Sequence, residues 1–162
     1  MKLQPCEKGS RMASVLIIGY GNRLRSDDGL GVRVAEELAH SGLAPDAEVL
    51  ACQQLTPELA ERMSHAESVL FIDAARTGRS GEILCKRVEA FHSDQLFAHQ
   101  LTPETLLSLC CELFGACPQT FEISVRGECF ELGDQLSAAV SDLLPNLVSF
   151  AERFGNSLQT VA

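Results

Sequence analysis

Three side chains in this sequence could gather around a metal ion: Asp28 in the loop after the first apolar run, Asp73 at the end of a later one, and a histidine, His92 or His99, in the connection before a strongly apolar helix. Two carboxylates and one imidazole supply two oxygen ligands and one nitrogen, with positions left for water or substrate, a mixed set that suits zinc or nickel. Each residue also has a plainer reading. Asp28 belongs to Ser26-Asp27-Asp28, any of which can cap the following helix, although two adjacent carboxylates exceed what capping needs. Asp73 leaves a very apolar strand, where its charge is costly inside the sheet and natural at the open carboxyl edge; an aspartate there also makes Asx turns. A loop histidine is commonly just solvated, and His40 and His65, near helix ends, carry no functional claim. Residue type and position alone leave His92 and His99 as alternatives.

The loop itself, GYGNRLRSDDGLG from Gly19 to Gly31, invites comparison with a dinucleotide fingerprint. That fingerprint needs glycine at the position of Leu24, and the following helix opens with Asp27 and Asp28, which would repel a pyrophosphate. A nucleotide site is disfavoured on both counts.

The elements that would position these residues follow from apolar patterning. Ser14–Ile18 (SVLII) and Ser68–Asp73 (SVLFID) read as buried strands, and 48–52 as a short second strand. Glu82–Val88 and Thr120–Arg126 alternate as two more. Gly29–His40 has helical spacing, Thr56-Pro57 and Thr102-Pro103 each look like an N-cap followed by a first-turn proline, and a long helix is expected from Asp134 to Phe154 with a kink at Pro145. Strands interleaved with helices predict an α/β three-layer sandwich: a largely parallel, twisted, five-stranded sheet with helices on both faces. In such a sheet ligands collect beyond the carboxyl ends of the strands, where Asp28 and Asp73 would meet.

Bulk properties narrow the partners. With 13 basic and 22 acidic residues the formal charge is -9, which repels nucleic acid and anionic membrane surfaces. Residues 1–12 lack periodicity and read as an N-terminal extension, disordered or foreign to the native protein, ahead of a single domain over 13–162. The absence of an apolar span or signal-peptide pattern leads us to expect a cytoplasmic protein. The seven cysteines include no C-x-x-C pair and are expected as reduced, core-packing thiols.

The segments VLIIGYGNRLRSDDGLGVRVAEEL, LFIDAARTG and FAHQLTPETLLSLC, in that order, resemble the hydrogenase maturation protease family from about residue 13 to 150. The resemblance extends to VRGECFELGDQLS, and departs from the family where Phe97-Ala98 precede His99. It implies a metal site of Asp28, Asp73 and His99, choosing His99 over His92. It also implies an endopeptidase that removes the C-terminal extension of a NiFe hydrogenase large-subunit precursor. Nickel would arrive with that precursor, and zinc or cadmium could occupy the site in vitro. The family carries no serine, cysteine or threonine nucleophile in the expected place; which groups are catalytic is unknown at this level. Three other readings remain: a hydrolase with its own zinc, a nickel-dependent chaperone or binding protein that does not cleave, and the disfavoured nucleotide domain.

Overall fold

The computed structural model describes residues 13–43, 45–91 and 101–157. The candidate extension at 1–12 and both loop histidines, His92 and His99, lie outside the described residues. The apolar runs become β1 (Ala13–Tyr20), β2 (Ala47–Cys52) and β3 (Ala66–Ala75), and the alternating segments become β4 (Ile83–Val88) and β5 (Gln119–Arg126). They form one sheet in the order β2-β1-β3-β5-β4, parallel throughout except that β4 runs antiparallel to β5. Parallel strands covered on both faces must be apolar on both, which explains the unbroken SVLII and VLFI runs. At the edge, β4 is exposed at every residue but Val88, so it can carry Lys86 and Arg87 beside its apolar residues.

Side chains alternate between the two faces. Val15, Ile17, Leu70, Ile72, Ile123 and Val125 pack with α1 (Leu30–Ala39) and α5 (Leu144–Ser157), while Leu16, Ile18, Val69 and Phe71 pack with α2 (Leu59–Ser64) and α3 (Pro103–Phe114). The result is the expected helix–sheet–helix sandwich. Full burial of side chains such as Phe71, Leu16 and Leu70 stabilises it by roughly 1.5–3 kcal/mol each. No helix among the described residues is long and apolar enough to cross a membrane.

Helix α3 begins as its sequence predicts. Thr102 accepts from the Thr105 N–H at 3.3 Å, Pro103 takes the first turn, and Gly115 closes the far end at φ 66°. Two helix expectations are corrected. The Thr56-Pro57 pair makes a turn, with Leu59 and Ala60 N–H bonded to the Thr56 and Pro57 carbonyls, so α2 starts only at Leu59. The expected 134–154 helix is divided into α4 (Ala138–Ser141) and α5, and Pro145 sits in the first turn of α5, where its missing N–H costs nothing; it starts a helix and kinks none.

The cysteines need a correction too. Cys111 and Cys117 are joined by a disulfide across the turn that ends α3, with Cα atoms 4.9 Å apart, while Cys110 is a buried thiol donating to the Ala116 carbonyl. Their spacing straddles the Gly115 turn, which folds the chain back and brings the two side chains together.

Candidate active-site cleft

Strand order reverses at β1, whose neighbours are β2 on one side and β3 on the other, so a crevice opens beyond the carboxyl ends of these strands. A cavity of about 450 Å³ occupies it, lined by Tyr20, Gly21, Asp28, Gln53, Gln54, Leu55, Thr56, Pro57, Asp73 and Leu101. The two carboxylates singled out from the sequence therefore share one cavity.

Backbone geometry brings Asp28 there. Gly31 at the start of α1 lies so close to the sheet that a Cβ would meet the Ile72 carbonyl at 2.1 Å and that of Tyr20 at 2.6 Å; only glycine lets the helix seat this deeply. Gly21 has φ 133°, and a Cβ on it would fall 1.8 Å from the Asp28 carbonyl oxygen. The loop so formed is closed by the Asp28 side chain, whose Oδ2 accepts from the Asn22 N–H at 2.9 Å. That bond places a carboxylate where a dinucleotide loop would offer its N–H to phosphate, which weighs further against a nucleotide.

Neither Ser26 nor either aspartate caps α1 by a side-chain hydrogen bond, contrary to the plainer sequence reading. Asp27 instead is wholly buried and binds the 127–137 segment. Its carboxylate accepts from the Glu128, Cys129 and Ser137 N–H groups and from the Ser137 hydroxyl, all at 2.7–2.9 Å. Burial alone would raise its pKa, but those donors outweigh it and hold the group below the usual carboxylate range. Ser26 adopts φ 50°, a strained conformation for a residue with a side chain. It is held there by its N–H on the Gly133 carbonyl and its hydroxyl on that of Glu131.

Asp73 has the opposite environment. Its Oδ1 accepts from its neighbour's N–H, Ala74, at 2.7 Å, so the Asx-type contact also exists. Burial pushes its pKa up to about 7; the Ala74 N–H and the Tyr20 hydroxyl pull it back, while the charges of Asp28 and Glu122 add to the rise. Each cleft carboxylate thus has one oxygen held by a backbone donor, and the second oxygen of Asp28 has a loose ion pair with exposed Arg76 at 3.9 Å. Two such carboxylates in one cavity, one of them reluctant to ionise, suit a divalent cation. Among the described residues no three histidine, cysteine or acidic side chains come close enough to hold a metal. The third ligand expected, His99, lies outside them; Leu101, two residues further along, lines the cavity.

Other cleft residues went unnoticed in the sequence. Arg76, just beyond β3, is stacked 4.5 Å over the Phe130 ring beside Asp28. Gln53 and Gln54 follow β2, whose carboxyl end makes them foreseeable once the strand order is known. Thr56 contributes a hydroxyl of nucleophile type; beside it, the Glu58 carboxyl is held below the ordinary range by its own backbone N–H first and the Thr56 hydroxyl second, which makes it a poor base.

Neither a protein-family model nor a curated protein sequence matches the chain. Solved structures do. A NiFe hydrogenase maturation protease, HycI, from Thermococcus kodakarensis superposes with a TM-score of 0.74 at 23% identity, over 91% of this chain and 95% of that one. HybD from the same organism, also a NiFe hydrogenase maturation protease, gives 0.67 at 24% identity, covering 87% and 98%. The hydrogenase maturating endopeptidase HybD of E. coli gives 0.66 at 21% identity, covering 85% and 88%. At these identities the likeness is one of fold, and it extends over nearly the whole of each chain.

Proposed function

We propose that this chain is an endopeptidase of hydrogenase maturation, which removes the C-terminal extension of a NiFe hydrogenase large-subunit precursor once nickel is in place. The observation that carries the reading is the meeting of Asp28 and Asp73 in one cleft at the strand-order reversal of a fold shared with maturation proteases. In this reading Asp28, Asp73 and His99 meet the nickel that the precursor brings, so nickel belongs to the substrate. A divalent ion so held can polarise a neighbouring carbonyl or lower the pKa of a bound water toward roughly 7.

The chain's own residues supply the rest. Asn22 and Ala74 N–H fix one oxygen of each aspartate and so orient the other. Burial raises the pKa of Asp73 to about 7, so in this reading a cation that engages it near neutrality displaces a proton. Gln53 and Gln54 provide uncharged donors and acceptors for an extended main chain, and Leu55 and Leu101 provide apolar wall.

The test is to incubate the purified protein with nickel-loaded and nickel-free precursor and measure the C-terminal mass of each. The reading expects shortening of the loaded precursor alone. Binding of the loaded precursor with neither sample shortened would replace it with the nickel-dependent chaperone, and shortening of both would remove the sensing of nickel.

A further inference from the structure

Arg76 carries its charge to a place that packing does not require. It is the first residue beyond β3, and its guanidinium is stacked 4.5 Å from the centre of the Phe130 ring. That ring is itself fixed. It lies against Gly127, where a Cβ would fall 2.5 Å from its Cζ, and the Phe130 carbonyl accepts from Arg25 Nε at 3.3 Å. Asp27 anchors the same segment through the Glu128, Cys129 and Ser137 N–H groups. The stack therefore holds a positive charge in one position, and that position is beside Asp28. Arg76 Nη2 lies 3.9 Å from Asp28 Oδ1, the oxygen left over when the Asn22 N–H takes Oδ2.

The distance decides what such a pair does. At 3.9 Å the contact is too long for a hydrogen bond, and with the Arg76 side chain 58% exposed it adds little to stability. The oxygen stays open to coordinate, but next to a positive charge. A bare divalent ion that reaches Asp28 and Asp73 is repelled by that charge. An ion already carrying anionic ligands has its own charge offset, and the exposed guanidinium can donate to those ligands. We infer that Arg76 is a specificity-determining residue of the cleft, which discriminates against free divalent cations in favour of one delivered on anionic donors. The inference rests on the reading of Asp28 and Asp73 as the residues that meet a cation, and adds the chemical form in which that cation is accepted.

The experiment uses the full chain and Zn²⁺ as the probe, with affinity measured by calorimetry at low and at high salt and folding followed by thermal melting. A unit and a double positive charge about 5 Å apart in a water-like dielectric repel strongly enough to change affinity about tenfold, so Arg76→Gln is expected to bind Zn²⁺ about tenfold more tightly than wild type at low salt, with Tm nearly unchanged. Screening should close most of that gap at high salt. Zn²⁺ already held by nitrilotriacetate, a complex of net negative charge, should gain nothing from the substitution. Low-salt affinity for free Zn²⁺ within about twofold of wild type, or weaker than wild type, would overturn the inference. A gap undiminished by salt, or an equal gain for the chelated ion, would make Arg76 a steric obstacle and overturn the discrimination by charge as well. Adding Asp73→Asn to Arg76→Gln tests the underlying reading separately: the double variant should lose the tight binding. If it binds Zn²⁺ as Arg76→Gln does, or if neither wild type nor Arg76→Gln binds, the metal reading itself fails and the inference falls with it.

Discussion

Asp27, wholly buried, accepts four hydrogen bonds from Glu128, Cys129 and Ser137, whereas Asp28, the next residue, accepts one from Asn22 and lines the cleft with Asp73. The two carboxylates share a sequence context and a short 3-10 turn, Ser26–Gly29, yet one is electrostatically satisfied and the other is left with capacity to spare. Asp27 ties two distant segments together; Asp28 and Asp73 stand in the cleft where strand order reverses. A buried carboxylate with enough donors is a structural pin, and a pair with too few is, under the proposed function, the place for a cation.

Substitution can break that contrast. Asp28→Ala, Asp73→Ala and His99→Ala are each expected to fold and to lose precursor processing on the order of 100-fold or more, since removing a ligand should cost at least what removing its supporting residue costs. A timed cleavage assay checks this, and normal processing by all three would dissolve the distinction. Asp27→Ala should do the reverse. It strands the Glu128, Cys129 and Ser137 N–H groups, costing about 3–5 kcal/mol and lowering Tm by roughly 10 °C, measured by calorimetry or circular dichroism.

Gly21→Ala tests the link between the two regions. Alanine is strained at φ 133° and its Cβ would meet the Asp28 carbonyl, so the loop must move. A stability loss of about 1–2 kcal/mol is expected, together with a processing defect larger than that loss explains.

A pH dependence gives the two aspartates opposite signs. Asp73 has a folded pKa raised to about 7, above its unfolded value near 4, so the metal-free folded state binds more protons between those values and loses stability as pH rises through them. Asp73→Asn, uncharged throughout, should therefore melt higher than wild type at pH 8, with the advantage shrinking toward pH 4. Asp27 has the opposite sign: its lowered pKa gives stability that is present above about pH 4 and lost as pH falls through the folded value.

How much of this was legible beforehand depends on the range of the interactions. The buried strands, α1 and the Thr102-Pro103 start of α3 are local and were readable, as was the meeting of Asp28 and Asp73, which follows from placing both at strand ends of an α/β sheet. Local patterning could not reveal what Asp27 does, because its partners lie about a hundred residues away in the chain. Arg76 and Phe130 were equally silent, since only the fold of the 127–137 segment lays the guanidinium over the ring. Thr56-Pro57 misled because a threonine–proline pair opens a turn as readily as a helix, and Pro145 because a proline suits a helix start as well as a kink. The Cys111–Cys117 bond depends on the reversal at Gly115, which spacing alone does not disclose.

The central claim, that Asp28 and Asp73 act together on a divalent ion, is most directly tested by anomalous diffraction from crystals soaked in Zn²⁺. The account predicts one strong peak in the cleft, within about 2.0–2.2 Å of a carboxylate oxygen from each aspartate. A peak elsewhere with the cleft empty, or one touching neither residue, would contradict it.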